Sequence, residues 1–246
     1  IGCEVYTAFE GMDQKRPNID AKRYHLILLV KNEQGYKNLV KLVTKAHLEG
    51  FYYKPRIDDE LLAKHSEGLI GLSACVQGKI PRLLLSNQLA EAEKLAKKYE
   101  GFFGKGNFYL EIGDHPNIPE VTKIRKGIID LSRETGIPLV ATQDIHYARE
   151  EDAEYHDVLL AVQTGSRLSD DDRLTLKADK FHVTSPEEMA EKFRDIPEAL
   201  ENTVDIAERC HTELELGKIL LPHFPKPEGK TANEFRSAGR SDEAHG

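Results

Sequence analysis

An acid and an imidazole stand two residues apart at Asp144 and His146, in the stretch ATQDIHYA that follows the apolar run Ile137-Pro138-Leu139-Val140. In an extended segment side chains at i and i+2 share a face, so the pair would project together from the carboxyl end of a strand. That end is where α/β folds build their sites. Three further metal-capable residues occupy comparable places: Glu4 in the apolar setting GCEVY, His47 at the end of the first helical stretch, and Cys75 just after GLIGLSA. Four of the five lie on or follow an expected strand, which puts them on one rim. Carboxylate, imidazole and thiolate together suit a first-row transition ion, zinc or manganese, rather than an all-oxygen calcium cage. Each residue alone has an ordinary structural role: His47 as a helix-end residue, Cys75 as a small buried hydrophobe, Glu4 as a solvated strand residue, Asp144 as a cap on the next helix. Their joint placement is what argues for a metal site. His115, in IGDHPN, lies on a neighbouring rim loop and is carried as an auxiliary.

The elements that must position these residues alternate along the chain. IGCEVYTAF and YHLILLV read as strands, and NEQGYKNLVKLVTKAHLEG as a helix with Gly50 at its end. GLIGLSA is a buried strand, KIPRLLLSNQLAEAEKLAKKYEGFFG one or two helices, and NFYLEIGD a strand. IPEVTKIRKGIIDLSRETG has proline near the start and glycine at the end of an amphipathic helix. After IPLVATQD come the helical EDAEYHDVLLAVQTG, a short strand KFHVTS, and SPEEMAEKFRDIPEALENTVDIAERC, helical throughout. The βαβα succession argues for a parallel sheet or barrel with helices outside, and periodicity does not separate an open sheet from a closed barrel.

Composition narrows the classes of function. With 246 residues, 39% of them hydrophobic, the chain can bury a sizeable core. A formal charge of −8 supplies no basic footprint, so contact with nucleic acid would be local or assisted by partners. Three cysteines without paired spacing fit a reducing, cytoplasmic setting. Apolar runs such as HLILLV fall far short of the roughly 20 residues that span a bilayer, and no signal-peptide pattern is present. No membrane role is expected.

Taken in order, IGCEVY, AHLEGFYYKPRID, GLIGLSACVQGKIPRLL, FYLEIGDH, IPLVATQDIHY, HDVLLAVQTG and LLPHFPKPEGKTANEF resemble the PHP (polymerase and histidinol phosphatase) domain of bacterial DNA polymerase III alpha subunits. The resemblance implies a distorted seven-stranded (β/α) barrel with a cluster of up to three metal ions on its rim, here lacking its first β/α units. It places metal ligands at Glu4, His47, Cys75, Asp144 and His146, with cysteine at 75 where phosphoesterase relatives have histidine. It also implies that the family's His-X-His strand and Thr-Asp-His motif precede Ile1. The palm aspartates, which hold magnesium for nucleotidyl transfer, would lie beyond residue 246. The expected layout is a partial PHP barrel over 1–216, a linker into the polymerase body over 217–235 marked by three prolines, and a divergent, disordered tail over 236–246.

Three functions compete under this resemblance. The domain is a metal-dependent phosphodiesterase, a 3′-5′ exonuclease attached to a DNA-directed DNA polymerase. Or it is a non-catalytic scaffold that stabilises the polymerase and binds a separate proofreading exonuclease subunit. Or it is a free-standing PHP phosphatase, which FYYKPRID and LLPHFPKPEGKTANEF argue against because they follow the polymerase branch. The expected partners are DNA, through the full-length polymerase, and the other polymerase III holoenzyme subunits.

Overall fold

The computed structural model describes residues 1–219, with 221, 229 and 231. Two compact units divide it, Ile1–Glu213 and Leu214–Gly246. The 236–246 tail and most of the 217–235 linker fall outside the described residues.

The first unit is a mixed α/β layer structure. Its strands are β1 (Gly2–Ala8), β2 (Arg23–Val30), β3 (Arg56–Ile57), β4 (Leu69–Leu72), β5 (Phe108–Ile112) and β6 (Leu139–Ala141). Its helices are α1 (Glu33–Leu48), α2 (Asp59–Lys64), α3 (Lys79–Leu85), α4 (Leu89–Phe103), α5 (Pro119–Thr135), α6 (Ala153–Thr164), α7 (Pro186–Lys192) and α8 (Pro197–Arg209). The strands form one sheet in the order β3-β1-β2-β4-β5-β6. Pairing of β1 with β3, β4 with β5 and β5 with β6 is parallel, whereas β2 runs antiparallel to both β1 and β4. The expected parallel sheet is therefore corrected to a mixed one with β2 alone reversed, and β1 passes to β2 without a crossover helix.

The sheet is also open rather than a closed seven-stranded barrel. Its edge strands, β3 and β6, are two and three residues long and do not pair with each other. One face carries the main core: Val5, Leu26, Leu28 and Val30 from β1 and β2 pack with Leu42 of α1, Ile80 of α3, Ala96 of α4 and Ile128 of α5. The other face carries a smaller apolar cluster of Ile70, Leu72, Tyr109 and Val140, joined by Ile206 of α8.

Local chemistry accounts for the ends of the elements. Asn32 caps α1 by accepting from the Gly35 amide (3.0 Å), and Pro119 with left-handed Gly136 bounds α5. Three expectations are corrected. KFHVTS forms no strand, only a bridge between Tyr147 and His182. The helix expected from Ser185 to Cys210 breaks at Phe193–Ile196, where Pro197 opens α8 with its fixed φ and missing amide hydrogen. Finally, β6 stops at Ala141, and Asp144 is left-handed with φ 51°. Alternation along an extended strand therefore does not govern where Asp144 and His146 point.

Candidate metal rim

Because β2 alone is reversed among the described strands, its beginning lies at the same end of the sheet as the carboxyl ends of β4, β5 and β6. Glu4 is paired across from Ile27 and Tyr6 from His25, so Glu4, Tyr6 and His25 share the face that bears the smaller cluster. His25 is also tied to the loop after β4, its amide donating to the Gln77 carbonyl (3.1 Å). That bond draws Cys75 in. Glu4 Oε1 lies 3.2 Å and Cys75 Sγ 3.9 Å from His25 Nδ1. These are about the separations between ligands that share an ion with bonds of roughly 2.0 to 2.3 Å.

Glu111, on β5, sits opposite Val140 of β6 and is 8% exposed. Its Oε1 accepts from Thr142 Oγ1 (2.7 Å), while its Oε2 has no partner. Burial, with the charges of Asp144 and Glu4 nearby, pushes its carboxyl up to about 7, against the pull of the Thr142 hydroxyl. Burial likewise pushes the Cys75 thiol up to about 12, and Asp144, Glu111 and Glu4 add to the rise. Burial and the neighbouring charges thus keep the Glu111 carboxyl and the Cys75 thiol from ionising. A cation among them would remove that conflict, and the mixed N, O and S donor set fits a zinc-like ion.

The structure gathers the five sequence-derived residues unevenly. Glu4 and Cys75 each approach His25, while Cys75, Glu111 and Asp144 line one cavity. His47 is exposed at the end of α1 and reaches this region through a cavity of about 90 Å³ beside β1, lined also by Glu4 and Tyr6. His146 turns onto its own loop: its Nδ1 lies 2.6 Å from the Asp144 carbonyl oxygen, and its ring meets Phe181 and His156 edge-on. His115 is buried, stacked on Phe181 with ring centres 4.4 Å apart, and its Nε2 lies 3.1 Å from the Gln143 carbonyl oxygen. Burial lowers its pKa, with Asp179 and Asp144 opposing. Among the described residues, no three His, Cys, Asp or Glu side chains are arranged to hold an ion. Donors meet in pairs around His25, without a closed shell.

Two members of this rim, His25 and Glu111, are absent from the sequence-derived set. Both had a signal. Each is a lone ionisable residue inside a strand that is otherwise apolar, YHLILLV and FYLEI, and such an interruption on a buried face calls for a partner.

A single mixed sheet, with β2 reversed within it and helices packed against it, makes this a mixed α/β domain. Residues 1–115 match the PHP domain family, and the chain carries a PHP domain there. Over nearly its whole length it is similar to DNA polymerase III subunit alpha. It is 46% identical to that of Treponema pallidum over 235 residues, which cover 95% of this chain and 20% of the relative. To that of Borreliella burgdorferi it is 44% identical, with 97% and 20% covered, and to that of Thermus aquaticus 41%, with 96% and 20% covered. The chain thus spans about a fifth of the length of these curated relatives.

Proposed function

We propose that this chain is the PHP module of a DNA polymerase III alpha-type protein, a metal-binding unit with 3′-5′ phosphodiesterase chemistry. The observation that supports it is the approach of Glu4 Oε1 (3.2 Å) and Cys75 Sγ (3.9 Å) to His25 Nδ1, with Cys75, Glu111 and Asp144 lining one cavity. In this reading Glu4, Cys75 and Asp144, with His47 and His146, are the ligands of one or more zinc or manganese ions, and His25 joins them. A bound ion of this kind supplies Lewis-acid polarisation of a phosphodiester and a more acidic water. The chain's own part is to fix the donors: β1 and β2 hold Glu4 against His25, the loop tie at Gln77 holds Cys75, and the Thr142 hydroxyl orients Glu111. The open sheet would be part of a (β/α) barrel in the longer protein. Polymerisation, its magnesium, DNA and the holoenzyme subunits belong to that longer protein in the same proposal, as does a cytoplasmic setting.

The orientation of His146 favours a second reading, in which the module is a scaffold for the polymerase and for a proofreading exonuclease subunit. Elemental analysis together with release of 3′-terminal nucleotides from labelled single-stranded DNA separates the two. Metal-dependent release in the intact protein, lost in Asp144→Asn and Cys75→Ser with at least about tenfold weaker metal affinity, is expected. A protein that takes up neither zinc nor manganese and releases no nucleotide is a scaffold.

A further inference from the structure

One loop starts and ends on the wall of the small cavity beside β1. His47 and Pro55 both line that cavity, with Glu4 and Tyr6 of β1, so the segment between them leaves the wall at one end and returns to it at the other. That segment carries two large rings into solvent, Phe51 being 51% exposed and Tyr53 69%. Tyr53 is also left-handed, with φ 59°, a conformation that bulky side chains rarely adopt. Its neighbour Tyr52 is half-buried, with the Arg56 guanidinium 5.3 Å from its ring centre. The turn therefore keeps one tyrosine against the domain and presents the next one outward.

Cations stand beside these rings. Arg23, exposed at the start of β2, sets its guanidinium 5.3 Å from the ring centre of Tyr6, and that ring lies 5.3 Å from the ring of His25. Lys22 next to it and Lys54 on the loop are exposed as well. The acids that flank these segments in the chain are engaged elsewhere, Glu10 and Asp20 by Arg16 (2.8 Å each) and Glu49 by Lys45 (3.0 Å). Glu4, the carboxylate on the cavity wall, lies 3.2 Å from His25 Nδ1. Among the described residues Lys22, Arg23 and Lys54 form no ion pair, although the chain carries a formal charge of −8. Open rings next to unpaired cations suit single-stranded nucleic acid, whose bases stack on the rings while its phosphates meet the charges. A duplex keeps its base faces stacked inside, and an apolar protein partner would leave the three cations unmatched.

We infer that the 51–54 loop and the Arg23–Tyr6 pair bind single-stranded DNA, with bases stacked on Phe51 and Tyr53 and phosphates at Lys54, Arg23 and Lys22, leading the strand to the Glu4–His25 rim. This rests on the phosphodiesterase reading for its use, but not for its main test, which needs no metal. Single strands carrying 5-iododeoxyuridine, irradiated on the intact protein in EDTA, should couple to Phe51, Tyr53 or Tyr6, as located by peptide mass spectrometry. Replacing Arg23 and Lys54 together by glutamine keeps every ring in place and should lower that yield at least about fivefold at low salt. Where 3′-terminal release is measurable, Phe51→Ser combined with Tyr53→Ser should raise its KM at least about tenfold and leave kcat within about twofold. Coupling at these rings in a protein that releases no nucleotide, Asp144→Asn included, upholds the site even if the phosphodiesterase reading fails. Coupling that is absent from these rings, or confined to other parts of the protein, overturns the inference. So does a yield that the glutamine pair leaves intact, or a KM that the serine pair does not move.

Discussion

Arg56 shows how far one side chain can organise this domain. It lies in the two-residue β3, wholly buried, and its guanidinium donates to four backbone carbonyls: Gly50 (3.1 Å), Asp20 (2.7 Å), Met12 (3.1 Å) and Gln14 (3.0 Å). Three of those carbonyls belong to the long connection between β1 and β2, so a loop with little regular structure is held by a fork of fixed geometry. Lysine has the charge but not the fork. Arg56→Lys, with three donors for four carbonyls and no fork to spread them, should leave at least one buried carbonyl unmatched and lower stability by about 3 kcal/mol. Urea unfolding should show a lower midpoint with an unchanged slope. At this scale the candidate site was partly legible. Glu4 and Cys75, which the structure brings to His25, could be picked as candidates by type and by their place on or after a strand, because strand ends converge in any α/β sheet. His25 and Glu111 could not be placed, because their part depends on which strand is reversed and which faces meet. The turn of His146 onto Phe181 follows from a left-handed Asp144, which no apolar pattern encodes.

Among the elements, the start of α1 and the turn into β4 are packed backbone on backbone. A Cβ at Gly35 would lie 1.9 Å from the Gly68 carbonyl oxygen, and Gly68 itself has φ of 76°. The Lys31 amide donates to that same oxygen (2.9 Å), and Asn38 Nδ2 to the Glu67 carbonyl (2.9 Å), so the two segments cannot part without breaking hydrogen bonds. Helix propensity alone would reward Gly35→Ala by about 1 kcal/mol. The steric conflict is with backbone, which yields little, so the variant should instead lose about 2–4 kcal/mol. Thermal or urea unfolding decides the sign. The same contrast marks what periodicity reveals about elements. The helices α1, α4 and α5 were legible because each shows an amphipathic stripe with readable ends. The mixed direction of the sheet was not, since a reversed β2 and a parallel β2 bury the same alternating residues. KFHVTS has β-forming composition, but it has only a bridge to Tyr147 and no ladder to join.

For the molecule as a whole, two buried carboxylates fasten the longest irregular segments of the first unit. Asp20 accepts from the Arg16 amide (2.7 Å) and guanidinium (2.8 and 2.9 Å), closing the connection between β1 and β2. Asp157, on α6, accepts from Arg173 (2.5 and 2.6 Å), Thr175 (2.9 Å) and Lys177 (3.0 Å), closing the segment that follows α6. Hydrogen bonds from Arg16 hold the Asp20 carboxyl down to about 2, and those from Arg173 hold Asp157 below the usual carboxylate range. An acid whose folded pKa is depressed adds stability above its unfolded pKa, near 3.9, and loses it as pH falls through the folded value. The contribution of Asp20 is therefore complete at neutral pH and drains away between about pH 4 and pH 2, with that of Asp157 lasting further into acid. Melting temperatures measured from pH 6 to pH 2 should fall over that window in the wild-type protein. Asp20→Asn should melt lower at pH 6 and decline less steeply, because the group that would have been protonated is gone. Hydrogen exchange near pH 2.5 should then show residues 9–22 opening before residues 166–181, since the Asp20 carboxyl reaches its folded pKa first. The reverse order, or parallel melting curves for the two proteins, would show that these carboxylates do not set the acid limit of the fold.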